Sequence, residues 1–271
     1  MISVILVQHN NAHLTIESLR SLRERHPSKT EIFVVDNASN QPREDILTKE
    51  FEGLIFIQNS RNVGFGTANN IAASKASGEI LLFLNNDTLF KTDILGAIAA
   101  RFDEDPTIGV IGPKLMYPDG RFQLSAGGLP GFFTEIGDRL SYGMLRKRVR
   151  LWEHLIENRF RAPKSVGWVT GAALFIRRSI FDKLGGFDED FFMYFEDKDL
   201  CLRVRDAGLN VLFDPSVSLF HLKAGSSASE SPELIQRIYR QSQIAYYKKH
   251  RPGIEQALLR AYLASTGKFY K

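Results

Sequence analysis

Cysteine is nearly absent from this sequence, and long hydrophobic runs are missing. The 271 residues include one cysteine, Cys201, which excludes an internal disulfide and favours a reducing, cytosolic setting. No stretch approaches the roughly 18 uninterrupted apolar residues that a transmembrane helix needs. Met1 leads directly into a strand-like segment, without the basic start of a secretory signal. We therefore expect a cytoplasmic protein that does not span a membrane.

Glycine is missing from the place where a dinucleotide-binding fold needs it. The first predicted strand, residues 2–7, runs into QHNNAH, and the later pair Gly64 and Gly66 does not complete a G-x-G-x-x-G pattern. This absence argues against an NAD-dependent enzyme. QHNNAH is also neither Gly-rich nor basic, as we would expect of a nucleotidyltransferase that activates a triphosphate.

Positive charge is concentrated in one segment. The net charge is +4, but residues 139–164 carry eight Lys or Arg against two Glu. We expect no nucleic-acid partner. If residues 144–160 form a helix, its apolar face can lie on an anionic membrane at the inner face of the plasma membrane, or dock a lipid-linked acceptor. The alternatives are a helix packed on its own domain and a flexible lid. That apolar face would hold Leu145, Val149, Trp152, Ile156 and Phe160.

Strands and helices alternate over the first 113 residues. The predicted strands are separated by helical segments, a rhythm typical of a mostly parallel sheet with helices on both faces. These strands are residues 2–7, 31–36, 54–57, 80–84 and 108–111.

The pattern changes after residue 113, within what we interpret as one continuous α/β fold. We predict a hairpin at 118–120, an irregular basic stretch at 126–165, and two strand pieces that meet at Gly171. A helix over 196–207 precedes further strands at 210–213 and 218–222. Two helices, 232–249 and 254–265, complete the pattern.

Polar residues follow several predicted strands. Gln8 and Asn10 follow the first strand, Asp36 ends the second, and Asn62 and Gly64 follow the third. Ligands of open α/β sheets bind at the carboxyl ends of the strands, where glycine and a helix N-terminus favour an anionic group. The sequence therefore predicts a cleft that suits a nucleoside diphosphate.

The buried strand at 80–84 leads directly into Asn85, Asn86 and Asp87. An acidic side chain flanked by amides at a strand end is suited to a hard divalent cation. The alternative is that these residues cap the next helix. His221 follows another strand, and by itself a single His in a strand is more often structural than a metal ligand.

Six segments together resemble the inverting family-2 glycosyltransferases with the GT-A fold, and most of all their bacterial rhamnosyltransferase-like branch. The segments span nearly the whole chain in the expected order: VVDNAS, NVGFGTANN, LLFLNND, WVTGAALFIRR, GGFDEDFFMYFEDKDLCLR and YYKKH. The metal motif departs from the family's Asp-x-Asp pattern, because only Asp87 among its three residues is acidic.

The resemblance implies roles for particular residues. It places Asp36 on the nucleotide base and Asp87 and His221 on Mn²⁺ or Mg²⁺. It also implies that Trp168 and Gly171 line the donor and acceptor pocket. The nucleotide-sugar site would further include Gln8, Asn10, Asn62, Gly64, Phe65, Asn69 and Asn86.

The implied reaction is attack by an acceptor hydroxyl on the anomeric carbon of a nucleoside-diphosphate sugar. It needs a general base, and Glu196 and Asp197 are the candidates. At about 100° per residue, Asp197 lies near the centre of the inward face of the predicted helix, and Asp199 points to solvent. The family also places its base at the second acid of a comparable Glu-Asp pair, so we expect Asp197 to be the base.

The resemblance further implies the substrates and a division of the chain. The donor would be dTDP-rhamnose or a UDP-sugar, and the acceptor a cell-surface glycan or a lipid-linked saccharide. Residues 1–113 would bind the nucleotide sugar, 114–229 would supply the acceptor and catalytic half of the same domain, and 230–271 would form C-terminal helices. A nucleotidyltransferase and a non-catalytic nucleotide-sugar-binding module are the alternatives.

Overall fold

In the computed structural model, the N-terminal half of the chain forms the predicted parallel sheet. The structure describes residues 1–26, 30–223 and 231–265. Parallel strands alternate with helices in this half, and their spatial order is β3-β2-β1-β4 once they are numbered along the chain. These elements are β1 (Ile2–Gln8), α1 (Ala12–Arg25), β2 (Glu31–Asp36), α2 (Glu44–Glu50), β3 (Leu54–Gln58), α3 (Phe65–Ala73) and β4 (Ile80–Asn85).

The middle of the chain contains short strands and two helices that the sequence did not predict. Its elements are β5 (Thr88–Phe90), α4 (Leu95–Glu104), β6 (Ile108–Met116), β7 (Phe122–Gln123), β8 (Ala126–Gly127), α5 (Phe132–Arg146), α6 (Arg150–Arg159) and β9 (Lys164–Ser165). The last elements are β10 (Trp168–Val169), β11 (Ala173–Arg177), α7 (Arg178–Lys183), α8 (Glu196–Asp206), β12 (Asn210–His221), α9 (Pro232–His250) and α10 (Gly253–Ser265).

One mixed sheet runs through both halves of the chain. In the described residues it has ten strands, with β11 inserted between β4 and β6 and antiparallel to both. Next to β6, β12 continues the sheet in parallel, and β5 pairs antiparallel at the far edge. Because β12 reaches back to β5, it brings His221 opposite Thr88, beside the end of the central strand.

Alternating side chains of the strands form two cores, one on each face of the sheet. Leu6 of β1 packs on the face covered by α1, α2 and α4, while Ile5 faces α3, α6 and α8. Successive side chains of a strand point to opposite faces, so a sheet with helices on both faces needs apolar residues at both sets of positions. A third cluster joins α9 and α10 to the turn before α8 through Phe191, Phe195 and Tyr246.

The prediction of an irregular stretch over 126–165 was wrong, and so was a single helix over 144–160. Helices α5 and α6 occupy this region, separated by a turn in which Arg148 has φ of 55°. Ile156 and Phe160 are buried in the core, with Trp152 partly buried against it. The apolar face that was one candidate for membrane contact is therefore covered by the protein itself.

The predicted strands at 210–213 and 218–222 form one continuous strand. β12 shifts register between Asp214 and Ser218, and this irregularity interrupts the apolar alternation. The predicted helix over 196–207 matches α8, which ends just before Gly208. Across the described ranges, no helix is both long and apolar enough to cross a membrane.

Candidate active site

A cavity of about 970 Å³ opens at the carboxyl ends of β1 and β4. Its wall combines loops after these strands with the start of α8, the end of β12 and one side each of α5 and α9. The predicted site residues that line it are Gln8, Asn62, Gly64, Phe65, Asn86, Asp87, Trp168, Gly171, Glu196, Asp197 and His221. The topology thus brings together residues that are far apart in the sequence.

Asp36 lies at the predicted strand end, but its carboxylate is buried beneath the cavity wall. One oxygen accepts a hydrogen bond from Gln8 Nε2 at 2.8 Å, and the other accepts from the backbone N–H of Ser39 at 2.8 Å. Gln8 also donates to the carbonyl of Pro42, which leaves its buried Oε1 without a hydrogen-bond partner in the described ranges. Asp36 therefore fixes the orientation of Gln8, a residue that does line the cavity.

Asn37 holds the loop that follows β3. Its Nδ2 donates to the side chain of Asn62 at 2.9 Å and to the carbonyl of Gly64 at 3.1 Å, while its Oδ1 accepts from Asn59 and the N–H of Val63. No local pattern in the sequence reveals these four bonds, because they reach residues more than 20 positions away.

Three residues that the resemblance places at the nucleotide sugar either hydrogen-bond within the protein or lie outside the cavity lining. Asn69 is buried within α3, where its Nδ2 donates to the carbonyl of Phe65. Asn86 lines the cavity, but its Nδ2 donates to Asn11 and Thr15 of the first helix region, at 2.8 and 3.0 Å. Asn10 is exposed outside the set of lining residues.

Asp87 and His221 face each other, with 3.1 Å between Asp87 Oδ1 and His221 Nε2. His221 Nδ1 lies 2.7 Å from Oε1 of the buried Gln123, so Nδ1 carries the proton and Nε2 presents its lone pair. Two electron-rich atoms at this separation need a proton or a cation between them. Cis ligands of a six-coordinate ion at about 2.1 Å lie roughly 3.0 Å apart. The pair therefore fits Mn²⁺ or Mg²⁺.

Protein ligands for such an ion are few. No cluster of three or more His, Cys, Asp or Glu that could hold a metal occurs in the described parts of the chain. An ion at Asp87 and His221 needs further oxygen ligands, and a diphosphate can supply them. Gln123, which the sequence analysis missed, orients His221 from β7, a strand 98 positions away.

A strained turn directs the start of α8 into the cavity. Tyr194 and Phe195 both adopt left-handed φ values, 71° and 69°, which aromatic residues rarely take. Glu196 and Asp197 follow immediately and line the cavity. Asp197 accepts hydrogen bonds from the backbone N–H of Gly171 at 2.9 Å and from its neighbour Lys198 at 2.8 Å.

Burial raises the pKa of both carboxyl groups. The pKa of Glu196 is raised well above 4.5 by desolvation first and by the negative charge of Asp197 second. Desolvation also raises the pKa of Asp197, but the Lys198 ammonium and the two backbone N–H donors oppose this shift. The arrangement therefore favours protonated Glu196 beside ionised Asp197.

Lys198 lies between the acids and an aromatic wall. Its Nζ is 4.8 Å from the ring centre of Trp168 and 4.4 Å from that of Phe195. Trp168 lines the cavity, and its ring is buried behind the Lys198 side chain. A Cβ added at Gly171 would lie only 3.2 Å from the ring of Phe65, so a side chain there would press on that ring.

The prediction that Asp199 points to solvent was wrong. Its carboxylate is fully buried and binds the Arg203 guanidinium and His250 Nε2, each at 2.7 Å. Arg203 also donates to the carbonyls of Leu184 and Gly186. The end of α9 covers this side of α8, a contact that the helix period alone does not reveal.

The outer part of the cavity comes from residues that the sequence analysis did not single out. Helix α5 contributes Glu135, Asp138, Arg139 and Tyr142, and α9 contributes apolar and aromatic residues that include Tyr239. Burial raises the pKa values of Glu135 and Asp138, against the opposing charge of Lys198. The helical spacing of the polar residues in α5 could have indicated this lining face, but the stretch was predicted to be irregular.

The fold and cavity define a GT-A glycosyltransferase-like architecture, and the comparisons agree. Residues 3–185 match the family model of glycosyl transferase family 2, which is more than half of the chain. The chain belongs to this family, which confirms the predicted membership. A mannosyltransferase from Pyrobaculum calidifontis, solved with GDP-Man and Mn²⁺, aligns with a TM-score of 0.64 at 20% identity, over 93% of this chain and 64% of that one. The predicted fold class is thereby confirmed.

Relatives in sequence support the rhamnosyltransferase-like branch. An N-acetylglucosaminyl-diphospho-decaprenol L-rhamnosyltransferase of Mycobacterium tuberculosis is 28% identical over 213 residues, which cover 73% of this chain and 68% of that protein. A protein of Sinorhizobium fredii is 30% identical over 258 residues, covering 92% of this chain. The match spans only 27% of the length of the Sinorhizobium protein.

Proposed function

We propose that this chain is a metal-dependent inverting glycosyltransferase, which transfers a sugar from a pyrimidine nucleoside-diphosphate sugar to an acceptor hydroxyl. One observation carries the proposal: the Asp87–His221 pair and the Glu196–Asp197 pair line the same cavity. The first pair suits a cation that a diphosphate also binds, and the second provides a base. Family membership supports the same reaction class.

The nucleotide half of the cavity suits a pyrimidine base. The buried Gln8 Oε1 is an acceptor without a partner in the described part of the chain, and uracil and thymine both present an imide N–H. Asp36 holds the Gln8 amide, so in this proposal it acts on the base through Gln8. The Asn37-bound loop, including Asn62, Gly64 and Phe65, lies along the nucleotide.

Asp197 is the proposed general base. Its oxygen atoms each accept one backbone N–H, which fixes the carboxylate and leaves further lone pairs for the acceptor hydroxyl. Protonated Glu196 can donate a hydrogen bond to substrate and is a poor proton acceptor. This division follows from two neighbouring acids whose surroundings favour different protonation states.

Mn²⁺ or Mg²⁺, when bound at Asp87 and His221, offsets the charge that develops on the diphosphate leaving group. Around that site, Gln123 keeps the proton on His221 Nδ1, and Asn86 ties the loop to the first helix region.

Donor hydrolysis and sugar transfer, measured with and without metal, test the proposal. Asp87→Ala should abolish the metal-dependent turnover, because it removes the one acidic metal ligand. Asp197→Asn should keep donor binding but reduce transfer at least about a hundredfold, the scale of general-base catalysis. Asp103→Ala is the control, since it removes an exposed acid of α4 that lies outside the cavity lining. Unchanged turnover in Asp87→Ala would refute the metal-dependent reaction.

The donor sugar and acceptor are proposed from the relatives. Because a relative is named as an L-rhamnosyltransferase with a diphospho-decaprenol substrate, we propose dTDP-L-rhamnose as donor and a lipid-linked saccharide at the cytoplasmic face of the membrane as acceptor. Direct competition between dTDP-rhamnose and UDP-hexoses measures the preference. A clear preference for a UDP-hexose would replace rhamnose in this proposal.

We also propose a division of labour along the chain. Residues 1–113 supply the nucleotide-sugar half, 114–229 supply the acceptor and catalytic half of the same domain, and 230–271 add C-terminal helices. The contribution of α9 to the cavity supports a third part that covers the acceptor side.

A further inference from the structure

Helix α5 turns a polar face towards the cavity and an apolar face towards solvent, which is the reverse of an ordinary surface helix. Its polar residues Glu135, Asp138 and Tyr142 line the cavity, on the inner side of the helix. Two of its large apolar residues face outward: Phe133 is 76% exposed and Leu140 is 65% exposed. A helix that packs on a core normally turns these two faces the other way.

The helical period separates the two faces cleanly. At about 100° per residue, Phe133, Ile136 and Leu140 fall within roughly 60° of one another. Glu135 and Tyr142 lie on the opposite side, within roughly 20° of the direction diametrically across from Phe133. The outward apolar stripe is therefore a property of the whole helix and not one misplaced side chain.

Helix α6 adds a second outward apolar pair. Leu151 is 71% exposed and Leu155, one turn later, is about half exposed. The neighbouring residues Ile156 and Phe160 face the core, so α6 is anchored while this pair remains outside. We call the exposed apolar residues of the two helices the α5–α6 surface: Phe133, Ile136, Leu140, Leu151 and Leu155.

Positive charge surrounds the turn between the two helices. Arg146, Lys147 and Arg150 are exposed there, and Arg148 is also exposed, 3.9 Å from Asp119. An exposed apolar surface beside clustered cations has the chemistry of a helix that lies in the interface of an anionic bilayer. A protein partner would require a complementary surface, whereas a bilayer requires only these two properties.

We propose that the α5–α6 surface docks on an anionic lipid bilayer, with Phe133, Leu140 and Leu151 entering the interface and the cations contacting lipid headgroups. This inference deepens the proposed function and rests on it in one respect: the lipid-linked acceptor would reach the cavity along the inner side of the docked α5. The docking surface differs from the covered face of residues 144–160 that the sequence suggested.

Co-sedimentation of the full chain with vesicles tests the docking. Phosphatidylcholine vesicles containing phosphatidylglycerol should bind the protein, and binding should weaken as salt is raised. The double variant Phe133→Ser/Leu140→Ser should lose at least tenfold in vesicle affinity. The triple variant Arg146→Gln/Lys147→Gln/Arg150→Gln should lose roughly a hundredfold, since each cation near an anionic surface contributes roughly fivefold. Ile55→Ser, at the sheet edge formed by β3, is the control.

A fluorescent label reports the contact directly. Cys201 is fully buried, and burial raises the pKa of its thiol to about 12, so a new surface cysteine can be labelled selectively. A polarity-sensitive probe on Leu140→Cys should shift to the blue when anionic vesicles are added. The same probe on Ile55→Cys should not shift.

The failure of docking is distinguishable from the failure of the proposed reaction. Donor hydrolysis in solution should be equal in the wild type and the docking variants, because none of the changed residues is assigned to catalysis. The docking proposal is overturned if the wild type ignores anionic vesicles, or if the double variant binds them as well as the wild type does. A dimer that dissociates in the double variant, without vesicle binding, would assign the surface to a second copy instead.

Discussion

Two adjacent carboxyl groups at the start of α8 have different surroundings. Glu196 Oε2 is buried without a hydrogen-bond partner in the described ranges, whereas both oxygens of Asp197 accept backbone N–H groups. The unfolded chain treats the two side chains almost alike. The larger rise in the pKa of Glu196 than in that of Asp197 is therefore a property of the folded environment.

Glu196→Gln should stabilise the fold more at pH 8 than at pH 4. The raised pKa means that, above the ordinary value of 4.5, the folded state holds a proton that the unfolded chain has released. Stability contributed by that proton is present at low pH and is lost as the pH rises towards the folded-state pKa. An amide does not titrate, so the variant avoids this loss. Urea unfolding at both pH values measures it.

The control for that measurement is the exposed Glu52→Gln, which should change stability equally at pH 4 and pH 8. If Glu196→Gln behaves in the same way as this control, Glu196 is ionised in the folded protein. The assignment of protonated Glu196 beside ionised Asp197 would then be wrong.

At the residue scale, sequence reasoning located the strand ends but not the direction of each side chain. Asp87 and His221 could be predicted as neighbours only through the family resemblance, because the β12–β5 pairing brings them together. The amides of Asn69 and Asn86, which the resemblance places at the nucleotide sugar, donate to the carbonyl of Phe65 and to the side chain of Thr15. An amide has the same appearance in a sequence whether it faces a ligand or a backbone.

The loop between β3 and α3 depends on one glycine. Gly64 has φ of 88°, and a Cβ there would lie 2.2 Å from the carbonyl oxygen of Phe192. The same oxygen accepts a hydrogen bond from the N–H of Phe65, which joins the nucleotide loop to the segment before α8. Close approach of two backbones is the reason that this position requires glycine.

Gly64→Ala should therefore destabilise the protein by at least about 2 kcal/mol and weaken nucleotide binding, because the alanine has both a strained φ and a backbone clash. Gly96→Ala is the matched control: it lies in the first turn of α4 with open space around it, and should stabilise by up to about 1 kcal/mol. Urea unfolding and nucleotide titration measure both. Equal stability of the two variants would contradict the clash.

At the element scale, regular periodicity was the reliable signal. The strands around residues 31–36 and 80–84 and the helix over 196–207 have strong patterns, and all three form where expected. Helix α5 was missed because Gly137 and Gly143 interrupt it and because several of its apolar residues point outward. Sequence-based prediction assumes that the apolar face of a helix is the buried face, and in α5 much of that face is exposed.

The C-terminal helices belong to the same structural unit as the site. His250 Nε2, at the end of α9, donates to the Asp199 carboxylate of α8 at 2.7 Å, outside the cavity lining. The aromatic residues Tyr246 and Phe195 pack together nearby, with ring centres 5.4 Å apart. These contacts tie the turn before Glu196 to the last part of the described chain.

His250→Ala should lower the free energy of unfolding by about 1–3 kcal/mol, because it leaves part of the buried Asp199 carboxylate without a partner. Unfolding should remain a single transition when it is followed by both circular dichroism and tryptophan fluorescence. The exposed neighbour Lys248→Ala should have little effect. Separate melting of a helical fraction would show that α9 and α10 form an independent unit.

The position of β11 also determines when this molecule can fold during its synthesis. Both β4 and β6 leave the ribosome before residue 173, yet each pairs with β11 along one edge. Until β11 is made, the nascent chain carries two apolar strand edges with unpaired backbone groups, which are templates for aggregation. A fragment that ends at residue 113 would keep those edges permanently. Residues 1–113 are therefore not expected to fold as a separate piece.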